Sequence, residues 1–138
     1  MRKGSVQPEL DSQLISDSQL YRYSRQIIIP EINEEGQELL LNSKVAIIGA
    51  GGLGCPVALY LGGAGVGEIT VVDDDIIDVS NLNRQIAFKT NSVGSLKSES
   101  LKFAIQDLNP EVIVNAINEK LTVENLDKIF HNQDLIID

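Results

Sequence analysis

Cysteine is almost missing from this chain. Cys55 is the only one in 138 residues, so no internal disulfide and no cysteine-built zinc site can form. That points to a reducing compartment, and the cytoplasm is the expected location. Histidine is equally scarce. His131 stands alone, no Ser/His/Asp arrangement can be built around it, and its expected place is a helix end. Basic residues are few as well. A net charge of −9 leaves no cationic excess to displace counterions from a duplex, so nucleic acid is not an expected partner. Long apolar runs are lacking too. The longest, near Val45–Ile48, is strand-sized, so no membrane span is expected. Residues 1–19 are polar, without the apolar centre of a signal peptide. There is no internal repeat and no low-complexity block.

What is present is enough for one modest domain. Apolar residues make up 43 % of the chain, which suits a packed core and argues against global disorder. Residues 1–25 carry four basic and three acidic side chains, so the acidity belongs to the remainder. Residues 1–19, rich in Ser, Gln and Asp, read as a flexible arm with a helical turn near its end. A folded domain is expected over 20–138. Glu34–Leu41 reads as a helix packing Leu40 and Leu41. Lys44–Ile48 reads as a strand covered on both faces, because no charge follows its first residue. A helix over Leu53–Gly63 follows, with Pro56 early, where a missing N–H does little harm. Ala64-Gly65-Val66-Gly67 ends it, and glycine there supports a tight C-terminal cap. Ile69–Val72 is a second strand, and residues 76–95 a polar loop region. Leu101, Ala104, Ile105 and Leu108 share one face of a helix that stops at Asn109-Pro110. Val112–Ile117 alternates like a third strand. Thr122–His131 reads as a helix with Thr122 as N-cap and Leu126, Ile129 and Phe130 inward. Leu135-Ile136-Ile137-Asp138 begins a fourth strand. The pattern predicts an α/β, Rossmann-like fold with a mostly parallel sheet and flanking helices, truncated at its C-terminal side.

The chemistry concentrates where the first strand meets its helix. Gly49-Ala50-Gly51-Gly52-Leu53-Gly54 follows the strand directly. Glycines allow a tight turn and let a phosphate approach without a Cβ in the way. The helix start then offers free N–H groups and a positive dipole end to an anion. Asp73 lies 19 positions after Gly54, at a strand end, where an acid can bind ribose hydroxyls. Asp74 and Asp75 crowd beside it at the carboxyl edge, where open α/β sheets bind ligands. Asp74 is expected to be merely exposed. The thiol of Cys55, in the first helical turn, is expected to be a small packed group beside the glycine turn. Tyr21 and Tyr23 are expected to be packing or interface residues.

These stretches occur together with others in a familiar order. Arg22-Tyr23-Ser24-Arg25-Gln26-Ile27, Gly49–Gly54, Asp73-Asp74-Asp75, Ser80-Asn81-Leu82-Asn83-Arg84-Gln85 and Val93-Gly94-Ser95-Leu96-Lys97 resemble the N-terminal half of the MoeB/ThiF adenylyltransferases, relatives of the ubiquitin-activating enzymes. The likeness covers residues 20–138. It implies ATP and Mg2+ as cofactors, a homodimer, and adenylation of the C-terminal glycine of a ubiquitin-like sulfur carrier. It assigns Gly49, Gly51, Gly52 and Gly54 to the ATP loop and Asp73 to the ribose. It brings Asn81, Arg84 and Lys97 to the triphosphate and sends Arg25 into the partner subunit's site. Arg84, Lys97 and Arg25 are thus the catalytic candidates. Asp75 is the candidate to orient an Arg or Lys side chain.

Asp138 matches the first acid of a family motif, Asp-x-Thr-Asp-Asn, associated with magnesium and ATP. The rest of that motif, the zinc-binding cysteine pairs and the cysteine used for covalent transfer are not in this sequence, and no metal ligand is assigned within it. The chain therefore looks like a fragment, a truncated gene model or a degraded paralogue, expected to bind ATP and to be inactive alone. Two alternatives stand beside this reading. One is an NAD-binding dehydrogenase half-domain, which shares the glycine pattern but has no triphosphate for Arg84 and Lys97 to neutralise. The other is a non-catalytic, carrier-binding relative.

Overall fold

The computed structural model describes residues 15–138. The expected arm over 1–19 lies mostly outside them, and its inner boundary moves. Helix α1 already spans Asp17–Arg22, started by a capping box in which the Ser16 hydroxyl accepts the Gln19 N–H and Gln19 reaches back to the Ser16 N–H. A short helix α2 (Ser24–Ile27) and α3 (Asn33–Asn42) follow.

Strand β1 (Lys44–Ile48) enters the glycine turn and α4 (Gly54–Ala64) leaves it. β2 (Glu68–Val72), α5 (Lys97–Leu108), β3 (Ile113–Ile117), α6 (Val123–Phe130) and β4 (Leu135–Ile137) complete the domain. The sheet is parallel throughout, in the order β3-β2-β1-β4. The chain steps one way across the sheet from β1 to β3, then crosses back to β4. Right-handed crossovers therefore put α4 and α5 on one face and α6 on the other. That reversal beside β1 is a topological switch point, where such sheets take ligands at their carboxyl ends.

Alternate residues of the strands, Val45, Ile47, Ile69, Val71 and Val114, meet Ala58 of α4 and Leu101 and Ile105 of α5 in one buried cluster. Each such side chain contributes about 1.5–3 kcal/mol by leaving water. Gly65 caps α4 in the left-handed conformation at φ 87°. The element boundaries expected from periodicity hold to within one or two residues, but two packing expectations do not: Leu108 and Leu126 are substantially exposed. In α3 Leu40 packs on the core, as expected, but the fully buried residue is Gln37, which the periodicity did not mark. A polar side chain wins that place because it satisfies the end of α4, as shown below. At the start of α6, the Thr122 N–H donates to Asn125 Oδ1 at 2.8 Å, so the capping bond runs from position N3. His131 is the C-cap of α6, as expected. Among the described residues no helix is long and apolar enough to cross a membrane.

Candidate nucleotide-binding site

The turn between β1 and α4 is built by two glycines that no other residue can replace. Gly49 sits at φ 91°, and a Cβ on Gly54 would stand 2.0 Å from the Gly49 carbonyl oxygen. The Gly49 N–H still bonds Val72 O at 2.8 Å, so the turn begins flush with the sheet edge. A Cβ on Gly51 would meet nothing within 4 Å, and one on Gly52 would face the aliphatic stem of Arg84 at 3.4 Å. Among the described residues, the amides of residues 51–54 have no backbone acceptor. The turn therefore presents unpaired N–H donors at a helix start, over open space, with a cationic side chain draped beside them. That combination suits an anion.

Asp73 fastens the turn. Its Oδ2 accepts the Ala50 N–H at 2.7 Å, its Oδ1 accepts the Asp75 N–H at 2.8 Å, and its own N–H bonds Ile117 O. One half-exposed carboxylate thus joins the ends of β1 and β2 and lies against the end of β3. The tie to Ala50 was not visible in the sequence, because nothing in the motif says where that amide points.

Lys97 arrives from 22 residues further on. The 76–95 excursion is not simply a polar loop. Ile77 and Phe88 are buried in the main core, and Leu82 packs on it. The two ends of the excursion are laced together. Ile76 bridges Leu96, the Gly94 N–H bonds Ile77 O, and the Lys97 N–H bonds Asp75 O at 3.0 Å. This brings the Lys97 ammonium to Asp75 Oδ2 at 2.9 Å. Lys97 is only 6 % exposed although it is a lysine. Its charge is kept in the interior by one carboxylate whose other side faces solvent. Asp75, the residue expected to orient an Arg or Lys side chain, is the carboxylate in contact with Lys97.

Arg84 lies on the same lip. Its guanidinium donates to Ser80 O at 3.1 Å and Asn83 Oδ1 at 3.0 Å and forms no ion pair among the described residues. Asn81 has a structural duty first: its Oδ1 accepts the Asp78 N–H at 2.9 Å in a short 3-10 turn. Cys55 is fully buried, with Sγ 3.4 Å from Ala50 O. Burial pushes its thiol up to about 11, against the smaller opposite pull of the Ala87 N–H and the Lys97 charge. It is a packed group, as expected.

One candidate stands apart. Arg25 lies on α2, whose next residue, Gln26, bonds Ala64 O at the last turn of α4. The glycine turn is at the first. Eleven residues of helix, about 16 Å, separate the two, so this chain does not bring Arg25 to Gly49–Gly54, Arg84 or Lys97.

A protein-family model described as the ThiF family matches residues 23–138. The chain belongs to the ThiF family. Curated relatives agree. It is 47 % identical over 122 residues to "Adenylyltransferase and sulfurtransferase uba4" of Aspergillus niger, covering 88 % of this chain and 25 % of the relative. It is 43 % identical to "SAMP-activating enzyme E1" of Haloferax volcanii, over 88 % of this chain and 45 % of that one. The chain therefore spans less than half of the length of these relatives. Among solved structures, E. coli tRNA N6-threonylcarbamoyladenosine dehydratase in complex with AMP superposes with a TM-score of 0.85 at 30 % identity, over 92 % of this chain and 51 % of that one.

Features of this ThiF domain fit the groups its family implies. The space over Gly51 is a cradle that a side chain would fill, and the orphan amides, Arg84 and Lys97 form a donor set for phosphate oxygens. For Mg2+ the available donors are hard oxygens. Asp73, Asp74 and Asp75 offer carboxylate oxygens within 4.8 Å of one another, but three of those oxygens already hold N–H groups. Asp138 follows Ile137, which pairs with Ile47, so it flanks the turn from the β4 side. A metal retained mainly by phosphates and one or two carboxylates suits such a site.

Proposed function

We propose that this domain binds ATP and adenylates the C-terminal carboxylate of a ubiquitin-like sulfur carrier, as a cytoplasmic homodimer. The observation that carries the reading is Lys97, a buried cation held by Asp75 at the lip of a glycine turn whose amides are unpaired. A site for a neutral ligand has no use for it. The names of the relatives, adenylyltransferases and a SAMP-activating enzyme E1, support the same chemistry.

The reaction joins a carboxylate oxygen to the α-phosphorus and breaks the bond from that phosphorus to the bridging oxygen, releasing pyrophosphate. Two anions must meet and a third must leave. The unpaired amides of residues 51–54 hold phosphate oxygens, and Asp73 accepts from the ribose hydroxyls while keeping the turn in shape. Lys97 trades part of its Asp75 contact for phosphate, so its charge is in place before the ligand arrives. Arg84, with its stem over Gly52, neutralises charge that grows on the leaving group. Asn81 stiffens the turn that presents Arg84 and offers its amide to the phosphates. Mg2+, held by phosphates with Asp138 or Asp74, would supply further neutralisation of the same charge. Arg25 completes the site of a second copy.

Calorimetry with ATP and with adenosine tests this. Arg84→Ala and Lys97→Ala should each weaken ATP by about 1.5–3 kcal/mol, the worth of a charge-assisted contact, and leave adenosine nearly unchanged. Equal losses for both ligands would mean that these side chains act on folding, and the proposal would fall.

A further inference from the structure

Arg25 is exposed and forms no ion pair among the described residues, yet Tyr23 and Gln26, on either side of it, are tied to the end of α4. Tyr23, two positions before it, is 2 % exposed. Its hydroxyl accepts from Asn109 Nδ2 at 2.9 Å, and the same nitrogen donates to Gly62 O at 2.9 Å. Gln26, one position after Arg25, donates through Nε2 to Ala64 O at 2.7 Å and to Gln37 Oε1. Gln37, fully buried in α3, donates to Ala64 O as well, at 3.1 Å. The fit is close: a Cβ on Gly65 would strike both the Tyr23 ring and the Gln37 amide at under 3 Å.

The terminal carbonyls of a helix need donors, and one backbone N–H or water would serve each. Here three side-chain amides from three separate elements converge on two such carbonyls. A four-residue helix cannot hold its own shape, so α2 takes its attitude from these bonds. Their effect is to fix the backbone at positions 23 and 26 and leave only the side chain of Arg25 free to point outward.

We propose that Gln26 is a positioning residue. Its two hydrogen bonds hold α2 so that Arg25 is delivered at a fixed angle to the nucleotide site of a second copy of this chain. The inference rests on the reading of Arg25 given above and adds the residue that aims it. A charged group misplaced by about 1 Å can lose as much as 100-fold in rate, so a loosened mount should be nearly as damaging as a missing arginine.

The experiment measures ATP–pyrophosphate exchange in the full-length protein with a ubiquitin-like carrier. Gln26→Met keeps length and helix propensity, and leaves Ala64 O bonded by Gln37. It should lower exchange at saturating ATP about 10–100-fold, with KM for ATP within about 2-fold of the parent. Gln26→Met is then mixed with Arg84→Ala under conditions that exchange subunits. A mixed dimer carries one intact site, Arg84 from one chain and a sound Arg25 mount from the other. An equal mixture should recover about a quarter of the parent rate, since half of the dimers are mixed and each has one good site of two. Parent-level exchange by Gln26→Met, or no recovery on mixing, would overturn the proposal, because a defect confined to its own chain cannot be rescued. Should Gln26→Met fail to fold, Gln26→Glu, which keeps the length and removes the Nε2 donor to Ala64 O and Gln37 Oε1, is read in the same mixture by the same criteria. Parent-level exchange by Arg25→Ala would instead overturn the underlying reading of Arg25, and that outcome is separate from failure of the Gln26 mount.

Discussion

Gly51 and Gly54 lie three residues apart in one turn and answer to different constraints. Gly54 has the Gly49 carbonyl where a Cβ would go, whereas Gly51 has open space. Gly54→Ala should lower the melting temperature sharply, because backbone atoms rather than a movable side chain must give way. Gly51→Val should melt close to the parent and lose ATP binding, since its methyls project where phosphate would sit. Melting curves paired with ATP titration separate the two outcomes, and a folded Gly51→Val protein that binds ATP normally would remove the phosphate cradle. The glycine pattern and Asp73 were legible in the chain because close backbone approach restricts residue type. Which glycine serves the fold and which the ligand was not, since that depends on where Gly49 O and Arg84 return in space. Cys55 illustrates the same limit. Its position in the first turn of α4 suits an activated thiolate, but burial beneath Ala50 outweighs the helix start and lifts the pKa to about 11. The native protein should therefore react with iodoacetamide at pH 8 far more slowly than the unfolded chain, with the rate rising only as pH nears 11. The sign of the linkage follows: a raised thiol pKa contributes stability that is fully present below the unfolded value and is lost as pH climbs through the folded one. Rapid alkylation of folded protein at pH 8 would contradict this.

Helix and strand boundaries were largely legible at the level of elements, because each carries its own stop signal. Asn109-Pro110 ends α5 as Pro geometry requires. What the sequence did not disclose is that Asn109 is also a fastener. It is fully buried, donates to Tyr23 Oη and Gly62 O, and accepts the Glu111 N–H at 3.3 Å. One amide therefore joins the α1–α2 segment, the end of α4 and the end of α5. Gln37 on α3 does the same for Ala64 O. Both are buried polar residues, and the helix-end carbonyls they donate to lie 27 and 47 positions away, so no local pattern could mark them. Leu108 and Leu126, placed inward by helical period, stay exposed. The period identifies a face but cannot say whether the opposing element extends far enough to cover it. Asn109→Ala should leave the Tyr23 hydroxyl without this donor and Gly62 O with only the Gly65 N–H, and cost about 1–3 kcal/mol. Thermal melting of the single variant, compared with Tyr23→Phe and the double variant, should show the two losses to be non-additive. Strict additivity would mean that the Tyr23–Asn109 bond contributes nothing.

Over the whole molecule, exposed apolar side chains are widely spread, with Leu53, Tyr60 and Val123 among the most exposed, and the segment around Arg25 carries several of them. Tyr21, Ile28 and Leu39 are each more than two thirds exposed, and all three belong to the α1–α3 segment that carries Arg25. Ile29 is partly exposed beside them. Single exposed apolar side chains are ordinary, but several on one segment mark a surface that associates. The hydrogen-bonded mount beneath this segment makes it rigid, so little ordering entropy is lost when a partner covers it. The charge of Arg25 on the same segment discourages nonspecific clustering and favours a partner that presents anions, as a nucleotide-loaded site does. The expected behaviour is a concentration-dependent dimer by light scattering, strengthened by ATP. Ile28→Glu should convert it to monomer with little change in melting at low concentration, since Ile28 makes few contacts within its own chain. The variant should also lose exchange activity while still binding ATP, because its glycine turn, Arg84 and Lys97 are untouched and only the delivery of Arg25 is broken. A monomeric parent protein at high concentration, or an Ile28→Glu protein that remains dimeric, would place the partner surface elsewhere and leave Arg25 without a route to any phosphate.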